Sequence, residues 1–588
     1  MRESMKRGAR IAAVAAALAV GMMVDATTSH AQMFAHPDRD PRVNLRFDRY
    51  YDYAAITDAI TRLQRAYPKF LTVQSLGRSG EGRDIPIVII NNPDTGPHTQ
   101  KTAFWADANI HGNEIQGTEV NLYLIWFLME NYDALPKVKE LVDQRAFYIV
   151  PTMNPDGREN FLKTGGPSRS GMMAWDSDQD GRTNEDNPDD LDGDGEIRQM
   201  RKHVPGQGTH VQSPIDPRLM VIAPAGTKGD YVLLGSEGVD TDGDGRRGED
   251  ARGGYDMNRD FPSDWQPPHI QGGANRYPFS WPESRAVGQW LKDHPNIAGA
   301  QSWHNSGGMI LRGPGSQHYK GTGDYTRRDN AAYDYLGERG ELMLPYYRYM
   351  TVWKDLYTVY GGTLDWAHDA LGIMSFTNEL WSNNQFYGPA WTDSAAVPRE
   401  MQQLFFNDRL GMGAWYKAWT PVRHPELGDV EVGGWSKWYG RTTPPFMLQE
   451  LAHRNAMFAL FHADEMPLLE WGDVHVERIA GSTYRVRAEM KNTRAIPTRI
   501  EAAELYRSGR PDYFTISGAR VQAGGFTSGE LGDRLRLQEQ NPERIEVTSG
   551  IPGRSRVSVT WIVTGSGNVD LAYTSLKGGT MRRTVALR

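Results

Sequence analysis

The chain has 588 residues, 39% hydrophobic and 23% charged, which is the composition of a soluble globular protein too long for a single core. Its 65 basic and 73 acidic side chains leave a net charge of -8, which argues against nucleic acid or an anionic membrane surface as partner. Cysteine is absent, so disulfides and thiol catalysis are excluded, and any zinc site must draw its ligands from His, Asp or Glu.

Arg2, Lys6, Arg7 and Arg10 precede an apolar run over 11–24, and Ser29-His30-Ala31 supplies small residues at a cleavage position. The pattern predicts a signal peptide over 1–31, export to the periplasm or the medium, and no membrane span after processing. The stretch up to about Asn44 lacks periodicity, and 32–47 is read as an N-terminal arm. A helix is predicted over 51–66, with Ile56, Ile60 and Leu63 on one face and Pro68 closing it. Strand-like runs at 85–90, 103–110, 146–150 and 298–303 alternate with helix-like stretches such as 119–130, where Val120, Leu124, Phe127 and Leu128 share a face. This alternation predicts an α/β fold over 48–420, a mixed, mostly parallel sheet flanked by helices. Sites in such sheets lie beyond the carboxyl ends of the strands.

Acidic stretches interrupt the pattern at 176–196 and 240–250. Three segments carry Asp at positions 1, 3 and 5 and Gly at 6: Asp176, Asp178 and Asp180; Asp190, Asp192 and Asp194; Asp240, Asp242 and Asp244. That is the opening of a calcium loop, but Asn187, Arg201 and Ala251 stand where an EF-hand has its closing Glu. Calcium is therefore expected in a loop of another kind. Residues 421–467 are read as a linker holding a helix over 446–463. From 468 to 588 the period is two, as in Tyr484-Arg-Val486-Arg-Ala488-Glu-Met490 and at Val557, Val559, Trp561 and Val563, and Gly578-Gly579 suits the turn of a late hairpin. A separate β-sandwich is expected there.

The tetrapeptide His111-Gly112-Asn113-Glu114 follows a predicted strand, so two ligand-type side chains can converge on one metal at a strand-to-loop turn. A distant His would complete a His₂Glu set with one position open for water. The surroundings make this specific. Leu76-Gly-Arg78-Ser-Gly-Glu81-Gly82-Arg83 precedes it and Asn154-Pro155-Asp156-Gly157 follows. Then come Tyr255-Asp256-Met257-Asn258-Arg259-Asp260-Phe261, Ser302-Trp303-His304-Asn305 and Tyr357-Thr-Val-Tyr-Gly361-Gly362-Thr363-Leu364-Asp365-Trp366, running on to Ser375-Phe376-Thr377-Asn378-Glu379-Leu380. In this order the segments resemble the zinc carboxypeptidase family of carboxypeptidases A and B, over roughly 48–419.

The resemblance implies a metallocarboxypeptidase that cuts the C-terminal peptide bond of a peptide or protein with a free C-terminus. It implies His111, Glu114 and His304 as zinc ligands, Asp256 as the carboxylate orienting a ligand histidine, and Asn258 and Arg259 as the grip on the terminal carboxylate. Glu379 resembles the catalytic carboxylate, Tyr357 the tyrosine that closes over substrate, and Leu364 a determinant of the C-terminal side chain. A carboxylate that takes a proton from water and passes it to the leaving amine is worth roughly 10²–10⁴ in rate. Another zinc amidase on the same fold, acting on cell-wall peptides or N-acyl amino acids, is the alternative.

Two departures stand out. The pancreatic enzymes carry an arginine where Asn113 sits. The family's oxyanion-stabilising arginine lies shortly after Asn-Pro-Asp-Gly, and the acidic insertion falls between Gly157 and Arg201. The run Arg198-Gln-Met-Arg201-Lys202 resembles its surroundings, so Arg201 is selected, with Arg158, Arg169 and Arg198 as competitors. Counting twelve from Asp190 reaches Arg201, so calcium is expected to order the segment that presents this arginine.

Overall fold

The computed structural model describes residues 40–166, 168–176, 180–248, 250–382, 399–528 and 534–588. The expected signal peptide and residues 32–39 of the arm lie outside them, as does Asp178.

Four parallel strands, Arg145–Val150, Thr102–Ala108, Ile297–Asn305 and Met374–Leu380, lie side by side in that order at the centre of an eight-stranded sheet. Leu71–Arg78 and Asp84–Ile90 extend one side in antiparallel fashion, and Met309–Arg312 and Arg348–Thr351 extend the other. The first three central strands are buried along their whole length, so apolar residues stand at successive positions, as in Ala103-Phe104-Trp105-Ala106 and Ala146-Phe147-Tyr148-Ile149-Val150, rather than at alternate ones. Successive residues still take opposite faces. Phe104 and Phe147 pack in one core with Ile56, Leu63, Val120, Leu124 and Phe458, whereas Trp105 and Tyr148 pack in another with Val287, Leu291 and Trp366. Helices Tyr53–Ala66, Gln116–Asn131 and Pro445–Asp464 supply the first core, and Pro282–Asp293 and Thr363–Leu371 the second. Mixed sheet and flanking helices make this the α/β class expected.

Helix Tyr53–Ala66 starts two residues later than predicted, because the Asp52 side chain accepts the Ala55 N–H at 2.9 Å and caps it. The described end of the arm is packed. Val43, Leu45 and Phe47 are buried, and Glu130 accepts the backbone N–H groups of Arg42 and Val43 at 3.0 and 2.9 Å.

Residues after Pro421 depart from the expected linker. Tyr416–His424 and Gly428–Trp435 form a hairpin that pairs with Gln199–Gly208, completing a six-stranded antiparallel sheet with Gly229–Ser236, His210–Gln212 and Met220–Ile222. Helix Pro445–Asp464 follows it and packs into the main core.

Beyond Leu469 a five-stranded and a four-stranded antiparallel sheet face each other. Val486, Ala488, Val559, Trp561 and Val563 of one meet Phe514, Ile516, Ile545, Leu571 and Tyr573 of the other, the inward residues of period-two strands. Strands Gly567–Ser575 and Gly579–Leu587 form the late hairpin, with Gly579 at φ 75°. Among the described residues, no helix is long and apolar enough to cross a membrane.

Candidate metal centre and substrate cleft

Three of the four central strands end at the site. Thr102–Ala108 leads into the turn bearing His111 and Glu114, Ile297–Asn305 carries His304, and Met374–Leu380 carries Glu379 directly beside His304 in register. The turn is held from several sides. Asn154 caps helix Pro155–Lys163 by accepting the Gly157 N–H at 2.8 Å, while its Nδ2 donates to Ile110 O at 3.2 Å and Ser170 O at 2.9 Å. Gly112 packs so closely on Gly157 that a Cβ would lie 2.6 Å from its carbonyl carbon. Asp156 fastens the upstream block by accepting from Ser79 Oγ, Glu81 N and Arg83 Nη1 at 2.7–2.8 Å. The motif blocks around the tetrapeptide are therefore its scaffold.

One ligand-type atom from each of His111, Glu114 and His304 lies within 4.8 Å of the others, and all three residues are buried. Glu114 Oε2 stands 2.9 Å from His111 Nδ1 and 3.0 Å from His304 Nδ1. Among the described residues His111 Nδ1 makes no hydrogen bond despite that distance. Its Nε2 is 2.9 Å from Asp256 Oδ1 and 3.0 Å from Arg169 Nη2; donation from Nε2 to the Asp256 carboxylate is the tautomer that keeps the Nδ1 lone pair for a metal. A buried nitrogen without a hydrogen bond, two imidazoles and a carboxylate fit a His₂Glu zinc site.

An open cleft of about 440 Å³ lies over these atoms, lined by His111, Glu114, His304, Arg169, Asn258, Arg259, Tyr357, Leu364, Glu379 and Arg441 among others. Asn113 is not among its lining residues. Asp256 Oδ1 also accepts the Asn258 N–H at 2.8 Å and caps the short turn Met257–Arg259. Thr363 donates to Asn258 Oδ1 from N and Oγ1, both at 2.9 Å, so the amide's NH₂ end is left for a ligand. Arg259 is buried, its Nη1 donates to Asn258 O at 2.9 Å, and among the described residues its Nε has no hydrogen-bond partner. Tyr357 is 50% exposed at the rim.

The electrostatics separate the carboxylates. Burial acts to raise Asp256, but His111, Arg259 and Arg169 hold it well below the usual range. Glu114 is also held low, burial being outweighed by His111 and His304. Glu379 is pushed up to about 7 by burial and by the charge of Glu114, against His304, Arg169 and Arg441. A carboxyl poised near neutrality suits proton transfer in both directions.

The choice of Arg201 is corrected. Arg201 lies in strand Gln199–Gly208, where Nε donates to Glu431 at 2.7 Å and the guanidinium sits 4.3 and 4.4 Å from the Tyr231 and Trp419 ring centres, and it does not line the cleft. Arg158 is buried on Tyr51 O, Ile115 O and Glu119, and Arg198 binds Asp194 and Gly434 O. Arg169 is the competitor that reaches the cleft. Its Nη1 is 2.8 Å from Glu114 Oε1 and its Nη2 3.1 Å from Asp256 Oδ2, and its carbonyl accepts the Gly112 N–H at 2.6 Å. The signal was chain distance, since Arg169 is much nearer Gly157 than Arg201 is. Arg441 was missed entirely.

In the acidic loops, Asp190 accepts from Gly193 N and Gly195 N at 2.8 and 2.7 Å, and Asp240 from the equivalent Gly243 N and Gly245 N at 2.6 and 2.9 Å. Lys417 Nζ lies 2.6 Å from Asp192 and 2.8 Å from Asp194, so an ammonium already meets that cluster. With Arg201 away from the cleft, the expected link between calcium and the catalytic arginine loses its premise.

A model of the family described as zinc carboxypeptidase matches residues 56–403, and a model described as a domain of unknown function matches 468–586. Carboxypeptidase D of Rattus norvegicus is 36% identical over 151 residues, 25% of this chain and 11% of that protein. Carboxypeptidase D of Homo sapiens is 40% identical over 117 residues, 20% of this chain and 8% of its own. The chain thus matches about a tenth of the length of these curated relatives. Among solved structures, thrombin activatable fibrinolysis inhibitor aligns with a TM-score of 0.45 and 15% identity, covering 73% of this chain and 77% of that one.

Proposed function

Because the chain belongs to the zinc carboxypeptidase family, we propose that it is a metallocarboxypeptidase that hydrolyses the C-terminal peptide bond of peptides or proteins. The reading rests on one observation: ligand-type atoms of His111, Glu114 and His304 meet within 4.8 Å, in a cleft that Glu379 also lines. Zinc held by those three residues would supply a Lewis acid and lower the pKa of water to about 7.

The remaining roles belong to the chain itself. Glu379 takes a proton from the attacking water and delivers it to the departing amine as the C–N bond breaks. Arg169 offers a guanidinium to the oxygen of the scissile carbonyl, where negative charge develops. Arg259 presents a planar fork to the terminal carboxylate, with the Asn258 amide beside it. Asp256 holds the His111 ring in the orientation that turns Nδ1 toward Glu114. Tyr357, at the rim, covers bound substrate, and Leu364 lines the space for the last side chain.

Comparison of a peptide with its C-terminally amidated twin tests the reading. Release of the last residue from the acid and none from the amide is expected. Equal cleavage of both would replace the exopeptidase with a zinc amidase of another kind.

The basic start and apolar run over 11–24 support export of the chain. For calcium, the loop of Asp240, Asp242 and Asp244 is the better candidate. Among the described residues it pairs with Arg246 Nε, 3.9 Å from Asp244, whereas Lys417 already serves the loop at 190–194. Calcium titration that raises the thermal midpoint of the wild-type chain but not of Asp240→Asn supports that assignment, and parallel curves remove it.

A further inference from the structure

Arg441 lies outside the stretch matched by the family model, yet its side chain lines the cleft. The backbone there is fastened to the segments bearing the metal-type donors. Arg441 O accepts from Asn305 Nδ2 at 3.0 Å and Gln116 Nε2 at 3.4 Å, and Thr443 N donates to Gln116 Oε1 at 2.7 Å. Asn305 and Gln116 are buried, one next to His304 and the other two residues from Glu114.

The guanidinium is aimed as well as anchored. Its Nη2 donates to Asn305 O at 2.8 Å and approaches Glu114 Oε1 at 3.3 Å. Among the described residues Nε and Nη1 have no partner, and the side chain is 49% exposed. One edge of the fork is used for positioning and the other is available to a ligand.

The position of Arg441 along the cleft follows from a chain of contacts. Arg259 Nη2 is 3.7 Å from Asp256, Arg169 joins Asp256 to Glu114 at 3.1 and 2.8 Å, and Arg441 reaches the same Glu114 oxygen from beyond. In this series of contacts Arg259 pairs at the Asp256 end and Arg441 at the Glu114 end. With a terminal carboxylate at Arg259 and the scissile bond beside Arg169 and Glu114, a substrate that continues past Glu114 would meet Arg441.

We propose that Arg441 is a substrate-binding residue that donates to an oxygen acceptor of the peptide on the acyl side of the scissile bond. It would then favour substrates with at least one further peptide unit there. The inference rests on the exopeptidase reading above. The acceptor is either a main-chain carbonyl or the carboxylate of an acidic side chain, and both present the same oxygen chemistry to a guanidinium.

The test uses the zinc-loaded full chain and three substrates: acetyl-Phe, acetyl-Ala-Ala-Phe and acetyl-Ala-Glu-Phe. In Arg441→Ala, the ratio of kcat/KM for a long substrate over acetyl-Phe is expected to fall about 10–100-fold, the worth of one charge-assisted hydrogen bond. Arg441→Lys, which keeps the charge without the fork, should lose less. A fall shared by both long substrates identifies the main-chain carbonyl, and a fall confined to acetyl-Ala-Glu-Phe identifies the side chain. An unchanged ratio overturns the proposal, whether all three rates drop together, as a mere support for Glu114 would give, or none does. If Arg441→Ala does not fold by circular dichroism, Arg441→Gln and Arg441→Lys are scored by the same ratio. A wild-type chain that releases the last residue from no member of this set, nor from the same peptides ending in Lys, Leu or Glu, refutes the exopeptidase reading itself.

Discussion

The two ends of the same parallel strands bury polar groups to opposite effect. At the carboxyl ends, charges of both signs meet beside an open cleft: Glu114, Asp256 and Glu379 with Arg169, Arg259 and Arg441. At the amino ends, arginine, lysine and amide donors meet neutral carbonyls beneath the C-terminal sheets. Arg145 donates to Pro467 O and Met466 O at 2.8 and 2.7 Å, Asn296 to His98 O and Lys101 O at 2.9 and 2.8 Å, and Lys577 to Ile297 O at 2.5 Å. Burial of a polar group therefore does not mark a site by itself. Opposed charges left partly unspent beside open space do.

Substitutions at each end sharpen this contrast. The largest effect is expected for Glu379→Gln, with kcat lowered about 10²–10⁴-fold while zinc content is retained. Steady-state release of the C-terminal residue measures it, and an unchanged kcat would take Glu379 out of the chemistry. Arg169→Ala comes next, with kcat down about 10²–10³-fold. Its counterpart Arg201→Ala should stay within about twofold, because Arg201 is spent on Glu431 and two rings outside the cleft. Reversal of that order would reinstate Arg201. Arg259→Lys keeps the charge but loses the fork, so kcat/KM is expected to fall about 10-fold, mainly through KM.

The amino end should respond in stability. Burial holds the Lys577 amine down at about 7, against an ordinary 10.5. Between those values the unfolded chain binds a proton that the folded chain does not, so stability rises with pH across the window and the penalty is complete below pH 7. Lys577→Met removes that uptake, and its stability curve should be flatter by about one proton, roughly 1.4 kcal/mol per pH unit. Urea denaturation at several pH values between 7.5 and 10 would show it. Parallel curves for the two chains would mean that the amine is charged in the fold.

What was legible in the sequence were features carried by neighbours in the chain. The central strands announced themselves because burial on both faces leaves several apolar residues in succession. His111 and Glu114 share one turn, and His304 and Glu379 each sit in a recognisable block on adjacent strands. Arg201 misled because the acidic insertion separates distance along the chain from distance in space. Residues resembling the arginine's surroundings went into an antiparallel sheet, while Arg169 stayed by the turn. The hairpin at 416–435 and Arg441 were invisible for a related reason: each meets partners more than 130 residues away, as in Arg441 with Asn305 and Glu431 with Arg201. The packing of the arm did have a signal, the alternation of Val43, Leu45 and Phe47.

Zinc stoichiometry of the purified full chain and of His304→Ala, after dialysis against a weak chelator, bears most directly on the metal centre. One zinc per wild-type chain and almost none in the variant, with the variant still folded by circular dichroism, is the expected result. Equal zinc in both chains, or none in the wild type at micromolar free zinc, would mean that His111, Glu114 and His304 do not form the site.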